Sequence, residues 1–184
     1  MKLIVGLGNP GEKYKNTRHN AGYNFLESYA KANNLEINKK KYNGLYATFQ
    51  KNNQTIMLLK PEKYMNLSGE VIRLYIEFFK INKDDILIIH DDIDTPLGKI
   101  KFKRKGSSGG HNGLKNIEQN LQTQEYKRLK IGLSKNSEDN LIDYVIKPMP
   151  KQEIEILNQI NQNAKEIIDD YLTMDFEKLM NKYN

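Results

Sequence analysis

The chain contains no cysteine. A disulfide framework and a thiolate metal site are therefore excluded, which is compatible with a cytoplasmic location without requiring one. Long hydrophobic runs are also missing. The longest uninterrupted aliphatic stretch, Ile86-Leu87-Ile88-Ile89, is far short of the ~18 residues of a membrane span. Met1-Lys2 leads into only Leu3-Ile4-Val5, which is no secretory leader. Histidine is scarce, with three in 184 residues. His19, His90 and His111 all lie in polar surroundings. What remains is ordinary globular material. A hydrophobic fraction of 38% over this length suits one domain with a real core. The formal net charge of +6 favours an acidic partner such as nucleic acid, although a lysine-rich composition alone would give the same number.

Residues 9–20 form the polar stretch around which the rest is arranged. The apolar Leu3-Ile4-Val5 predicts a short buried strand over Lys2–Val5. An amphipathic helix follows over Ala21–Ala32, with Asn20 placed as its N-cap. Gly6-Leu7-Gly8-Asn9-Pro10-Gly11 matches the dinucleotide fingerprint G-x-G-x-x-G. That motif needs a helix opening directly on the glycines, and Pro10 and Gly11 break the chain instead. The glycines are therefore assigned to a tight turn that exposes Asn9. Leu45–Lys51 and Thr55–Lys60 read as a hairpin joined by Asn52-Asn53-Gln54 and stopped by Pro61. A short loop carrying Tyr64, Met65 and Asn66 precedes a helix over Ser68–Phe79, with Ser68 as its cap.

Ile86–Ile89 has the continuous apolar character of a central strand covered on both faces. It delivers His90-Asp91-Asp92-Ile93-Asp94 at its carboxyl end, where sites gather in open α/β sheets. A carboxylate there can orient a histidine, or the group can bind a metal. The metal reading needs a second histidine at helical spacing or another carboxylate cluster, and neither is present. Lys99-Ile100-Lys101-Phe102-Lys103 alternates, so a half-buried strand would put its lysines on one solvent face. Arg104 and Lys105 extend this charge, and Lys127, Arg128 and Lys130 flank or enter a further strand over Leu129–Leu133. A lysine-rich strand face is commonly a solvated edge, but two basic segments favour a phosphate-binding surface. Gly106-Ser107-Ser108-Gly109-Gly110 matches the nucleophile elbow G-x-S-x-G. A basic strand precedes it and no histidine follows His111, so a mobile ligand-approaching loop is the better reading. A helix is expected over Leu114–Leu121, a last strand over Asn140–Ile146, one long helix over Lys151–Leu172 and a short one over Thr173–Tyr183.

The residue types that stand together in these loops are a histidine, carboxylates and the amides Asn9, Asn66 and Asn112. There is no convincing serine or cysteine nucleophile. If the loops converge, they suit direct attack by water, with His19 as general base, a carboxylate on its other nitrogen and amides donating to an oxyanion.

The segments Gly6–Gly11, Tyr14 with Thr17–Asn20, Tyr64–Gly69, His90-Asp91-Asp92 and Gly109–Leu114 together resemble the bacterial peptidyl-tRNA hydrolase family over nearly the whole chain. The resemblance implies a single α/β domain over residues 1–184, with a twisted, mostly parallel mixed sheet flanked by helices. It implies a monomeric cytoplasmic esterase with no cofactor, no metal and no obligate protein partner. Its substrate would be peptidyl-tRNA, met through the acceptor stem and the peptide, and its service the recycling of tRNA from prematurely released peptidyl-tRNA. His19 would be the base, Asp91 its partner, and Asn9 the sensor of the blocked α-amine. Tyr14, Tyr64, Asn66 and Asn112 would hold substrate, and Lys101, Lys103 and Arg128 would meet phosphates. Ser107 and Ser134 depart from the family's usual glycines. An RNA-binding module that keeps this fold without the reaction is the competing reading, disfavoured by the complete set of polar groups. A nucleotide-dependent oxidoreductase fails on the placement of the first helix.

Overall fold

The computed structural model describes residues 1–135 and 140–184. Seven strands form one mixed sheet: β1 (Lys2–Gly6), β2 (Lys39–Lys41), β3 (Gly44–Lys51), β4 (Gln54–Pro61), β5 (Ile86–Asp92), β6 (Ile100–Lys105) and β7 (Glu125–Gly132). Their order across the sheet is β2-β3-β4-β1-β5-β7-β6. The inner four, β4-β1-β5-β7, are parallel, and antiparallel strands close both edges. The helices are α1 (Ala21–Ala32), α2 (Ser68–Phe79), α3 (Asn112–Leu121), α4 (Leu141–Ile146), α5 (Lys151–Gln162), α6 (Ala164–Thr173) and α7 (Phe176–Tyr183).

The central strands are apolar without alternation because both faces are covered. Ile4, Leu87, Ile89 and Leu129 pack with α1, α5 and α6 on one side. Leu3, Val5, Ile86 and Ile88 pack with α2 and α3 on the other. Each of these side chains is fully buried and contributes about 1.5–3 kcal/mol relative to exposure. Because β1 is flanked by β4 and β5, the chain leaves it on both sides. The carboxyl ends of β1 and β5 therefore open a crevice of the kind in which α/β sheets place their sites.

Most local expectations hold, and the departures have physical causes. The hairpin turn is the pair Asn52-Asn53, both left-handed at φ 52° and 58°, as a two-residue turn demands of asparagine. Strand β2 has no counterpart in the sequence reading, because three lysines carry no apolar pattern and its pairing with β3 alone makes it a strand. Ser68 does not cap α2; its hydroxyl donates to the Met65 carbonyl, and the free amides of Gly69 and Glu70 donate to Asn116 Oδ1 from α3. Asn140–Ile146 is not a strand. Asn140 Oδ1 accepts from the Ile142 amide and starts α4, while Tyr144 and Val145 turn inward. The long helix expected over 151–172 is two helices broken at Asn163, whose backbone sits at φ −91°, ψ 4°. Asparagine tolerates that bend by competing with the helical hydrogen bonds, and the next residue, Ala164, is small enough to be fully buried.

Candidate active site

The glycines after β1 serve close packing rather than a phosphate. A Cβ on Gly6 would lie 2.5 Å from the Gly22 carbonyl oxygen, and one on Gly22 would lie 2.3 Å from the Ile89 oxygen. This lets α1 seat against β1 and β5, with the Tyr23 amide donating to the Leu7 carbonyl. Asn9 is consequently not an exposed turn residue: it is 6% exposed and held from three directions. Its amide donates to Asn20 Oδ1 at 2.8 Å, its carbonyl accepts from Asn20 Nδ2 at 3.0 Å, and its own Oδ1 accepts from the Met65 amide at 2.7 Å. Asn20 thus clamps Asn9 instead of capping α1 with its side chain. With Oδ1 turned to the Met65 amide, the Asn9 carboxamide has its NH2 group to offer a ligand.

His19 sits in a 3-10 turn over Arg18–Asn20. Its neighbour Arg18 anchors that turn, donating to the Tyr144 carbonyl at 3.0 Å, pairing with Glu153 at 2.8 Å and lying 3.9 Å over the Tyr144 ring. The Thr17–Pro148 bridge adds a backbone tie. His19 is therefore held rigidly from the α4 side as well as from α1.

Asp91 is the centre of the arrangement. Its Oδ2 lies 2.9 Å from His19 Nδ1, and its Oδ1 lies 2.8 Å from His111 Nε2. His111 also caps α3, its Nδ1 accepting from the amides of Gly113 and Leu114 at 3.1 and 3.3 Å. Those amides can only donate, so His111 Nδ1 must be bare and the proton must sit on Nε2. Asp91 then accepts from both rings and is ionised. His19 consequently carries its proton on Nδ1 and presents a bare Nε2. Burial raises the Asp91 carboxyl, but the two histidines more than offset it and hold it well below the ordinary carboxylate value. Burial pulls His19 down, and the charge and hydrogen bond of Asp91 bring it above the ordinary histidine value.

The other members of the cluster at the end of β5 part ways. Asp92 accepts from Thr95 and pairs with Lys130 at 3.0 Å. Asp94 is exposed. His90 donates Nδ1–H to the Asp91 carbonyl at 2.7 Å. Burial, with His111 nearby, pushes His90 down to about 3, so it is a neutral structural ring rather than a base.

A cleft of ≈ 580 Å³ opens over these groups. Asn9, His19, Tyr64, Asn66, Asp91, His111, Asn112 and Lys103 all line it, so the loops do converge. Tyr14 is not among the lining residues and meets Tyr64 edge-on, with ring centres 6.4 Å apart. Lys99, Lys101 and Lys103 are exposed while Phe102 is buried, as the alternation requires, and Lys101 lies outside the cleft lining. Lys101 faces Lys130 and Lys103 faces Arg128 across the β6–β7 ladder. Like charges placed opposite one another destabilise a sheet, and here Asp92 offsets Lys130 at 3.0 Å and Glu118 offsets Arg128 at 3.6 Å. Arg128 lines the same cleft beside Lys103 and Lys130, although little of it is open to solvent. It is 2% exposed, and its guanidinium donates to the carbonyls of Gly106 and Ser107.

His19, Asp91 and His111 each offer a ligand-type atom, all within 4.8 Å of one another, a grouping that sequence spacing does not reveal. The donor set nevertheless fits a cation badly. Binding through His111 Nε2 would drive the ring proton onto Nδ1, directly against the amide N–H groups of Gly113 and Leu114. Sequence reasoning misses Asn20 as a clamp, Arg18 as an anchor and the role of His111. For His111 a signal is present, a histidine one residue ahead of the helix, since a bare ring nitrogen can act as an N-cap acceptor.

Comparison with known proteins closes the question of kinship. The peptidyl-tRNA hydrolase family model matches residues 3–184. The chain belongs to the peptidyl-tRNA hydrolase family. It is 42% identical over 184 residues to a peptidyl-tRNA hydrolase of Clostridium botulinum, covering all of this chain and 96% of that one. It is 43% identical over 185 residues to one of Exiguobacterium sp., covering both fully. Among solved structures, peptidyl-tRNA hydrolase from Acinetobacter baumannii superposes with a TM-score of 0.92 at 32% identity, covering all of this chain and 94% of that one.

Proposed function

We propose that the protein hydrolyses the ester between peptide and tRNA, with His19 as general base and no metal. The observation that carries this reading is the double acceptor role of Asp91. It fixes both histidine tautomers and leaves His19 Nε2 bare at the cleft. A water bound at Nε2 gives its proton to the ring as its oxygen attacks the ester carbonyl. Asp91 stabilises the imidazolium that forms, and general base catalysis of this kind is worth ~10²–10⁴ in rate. Asn amides at the cleft wall donate to the oxyanion. Collapse breaks the carbonyl–ribose oxygen bond, and the imidazolium returns its proton to the leaving ribose oxygen. The products are a free peptide acid and a tRNA ready for charging.

Asn9, with its oxygen turned to the Met65 amide, offers NH2 to the carbonyl that an acylated α-amine carries and a free amine lacks. Tyr64, Asn66 and Asn112 at the cleft, with Tyr14 acting through its edge-on contact with Tyr64, hold the peptidyl and terminal nucleotide portions, and Lys101 and Lys103 meet backbone phosphates of the acceptor stem. We place the enzyme in the cytoplasm as a monomer acting as one unit over 1–184. Among the described residues no helix is long and apolar enough to cross a membrane. The test is hydrolysis of peptidyl-tRNA and of the matching aminoacyl-tRNA by purified protein in excess chelator. Cleavage confined to the blocked substrate and insensitive to chelator is expected. Activity that disappears with chelator and returns with zinc or manganese would overturn the metal-free mechanism.

A further inference from the structure

We propose that the turn between β2 and β3, together with the outer face of α2, is a second RNA surface. It takes an unpaired base of a single strand distinct from the substrate tRNA. The proposal goes beyond the catalytic reading and does not depend on it. Tyr42 and Asn43 make a two-residue turn between the paired residues Lys41 and Gly44. Both stand in the left-handed region, at φ 46° and 57°. Asparagine adopts that region readily, whereas a bulky side chain there is an outlier that points to a function. The turn is nonetheless held firmly. The Tyr75 hydroxyl donates to the Lys41 carbonyl at 2.7 Å, and the Glu62 amide donates to the Asn43 carbonyl at 2.7 Å.

What the strained turn displays is an aromatic ring. Tyr42 is 37% exposed and meets Phe78 of α2, itself 51% exposed, with ring centres 5.4 Å apart. The core face of α2 is already filled by Val71, Ile72 and Tyr75, so Phe78 is not needed there. Two rings inclined at 69° form a corner in which one offers its face to a flat base and the other its edge. Lys39 and Lys41 share a face of β2, because alternate residues of a strand do. The Lys41 ammonium lies 4.7 Å from the centre of the Tyr42 ring and 4.1 Å from that of Phe78, and the Lys39 ammonium lies 6.0 Å from the Tyr46 ring. Among the described residues no carboxylate pairs with Lys39, Lys40 or Lys41, so their charge is left for a polyanion. Exposed rings among free ammonium groups suit a single strand, whose bases stack and whose phosphates meet cations. A duplex hides its base faces. Lysines alone would only guard an edge strand against pairing, but that role needs neither a strained tyrosine nor an exposed phenylalanine. Strands β2 and β6 are opposite edges of the sheet, six strand spacings or roughly 29 Å apart. The strand bound here is therefore not the acceptor stem assigned to Lys101 and Lys103.

The test is fluorescence anisotropy of a labelled oligouridylate of about twelve nucleotides with the whole chain over a salt series. Tyr42→Asn suits the left-handed turn, and Phe78→Ser leaves the buried face of α2 intact. Each should weaken binding roughly 10-fold, the loss expected for one stacked base. Lys39→Gln/Lys41→Gln should reduce the slope of log affinity against log salt by about 0.7 for each phosphate released, whereas Lys101→Gln/Lys103→Gln should leave it unchanged. An RNA duplex of the same length should bind equally to wild type, Tyr42→Asn and Phe78→Ser. Oligouridylate binding that neither aromatic variant weakens would overturn the proposal and leave a solvated edge, and so would equal competition by polyglutamate. Binding lost in Lys101→Gln/Lys103→Gln alone would place the strand at the cleft instead. A raised KM for peptidyl-tRNA in the aromatic variants would assign the surface to the substrate tRNA and contradict a separate strand. Should Tyr42→Asn fail to fold by circular dichroism, Phe78→Ser decides alone. The anisotropy result stands whether or not the wild type cleaves peptidyl-tRNA, so it separates failure of this surface from failure of the catalytic reading.

Discussion

Replacing Asp91 by asparagine keeps the shape of the side chain but removes one acceptor. Asp91 accepts from His19 Nδ1 at 2.9 Å and from His111 Nε2 at 2.8 Å. Asparagine has one oxygen and one NH2 group, so it can serve only one of these rings as acceptor. His111 cannot adapt, because the amides of Gly113 and Leu114 forbid a proton on its Nδ1. The asparagine oxygen must therefore turn to His111, and its NH2 must face His19. His19 is then driven to carry its proton on Nε2, the nitrogen that should receive the proton of water. The variant thus loses the base by tautomer and the imidazolium by charge. An aspartate-to-asparagine change that imposes the wrong tautomer on a catalytic histidine costs roughly 10⁴ in kcat, or about 5 kcal/mol of barrier. Single-turnover hydrolysis of peptidyl-tRNA by Asp91→Asn measures the loss, with tRNA affinity taken on the same preparation and the fold checked by circular dichroism. Affinity should change little. Turnover near wild type would refute the tautomer argument and move attention to Asp92, and a collapse of binding together with turnover would make the carboxylate structural.

Other outcomes follow from the same geometry. Asn9→Ala and Asn9→Asp should shrink the preference for peptidyl- over aminoacyl-tRNA, and an unchanged ratio would remove Asn9 from that role. Lys101→Gln/Lys103→Gln should raise KM and flatten its salt dependence by about 0.7–0.9 for each phosphate no longer neutralised, whereas an unaltered slope would mark a solvated edge. The linked titration has a definite sign: His19 is raised above 6.5 and Asp91 is lowered below 3.8 when folded. The stability from raised His19 is present below its unfolded value and lost as pH rises through the folded one, and that from lowered Asp91 is present above its unfolded value and lost as pH falls through the folded one. Their shared ion pair should therefore make the Tm difference between wild type and Asp91→Asn largest between about pH 4 and 6.5, and a difference flat across pH would contradict it.

The fold is largely legible in the sequence because its signals are local and strong. Continuous aliphatic runs at Leu3–Val5 and Ile86–Ile89 suit only buried strands, and the lysine–apolar alternation before Lys105 suits a half-exposed one. Strand β2 is invisible because its identity lies in the pairing of Lys39–Lys41 with β3. The break at Asn163 is invisible because the apolar stripe runs past it. In the site, His19 and Asp91 are readable as types, but their meeting is not, since 72 residues separate them. The role of His111 depends on the two amides that start α3. Arg128 reads as exposed charge because a basic strand says nothing about which side chains turn inward to meet carbonyls.

The central claim is that His19 is bare at Nε2, protonated at Nδ1 and supported by Asp91. Nitrogen NMR of ¹⁵N-labelled protein reads this directly. The claim requires the Nδ1–H tautomer at neutral pH, a deshielded Nδ1 proton lost in Asp91→Asn, and a His19 titration above 6.5 that coincides with the acid limb of kcat/KM. A neutral His19 ring that carries its one proton on Nε2, or a titration that does not track the activity, would contradict it.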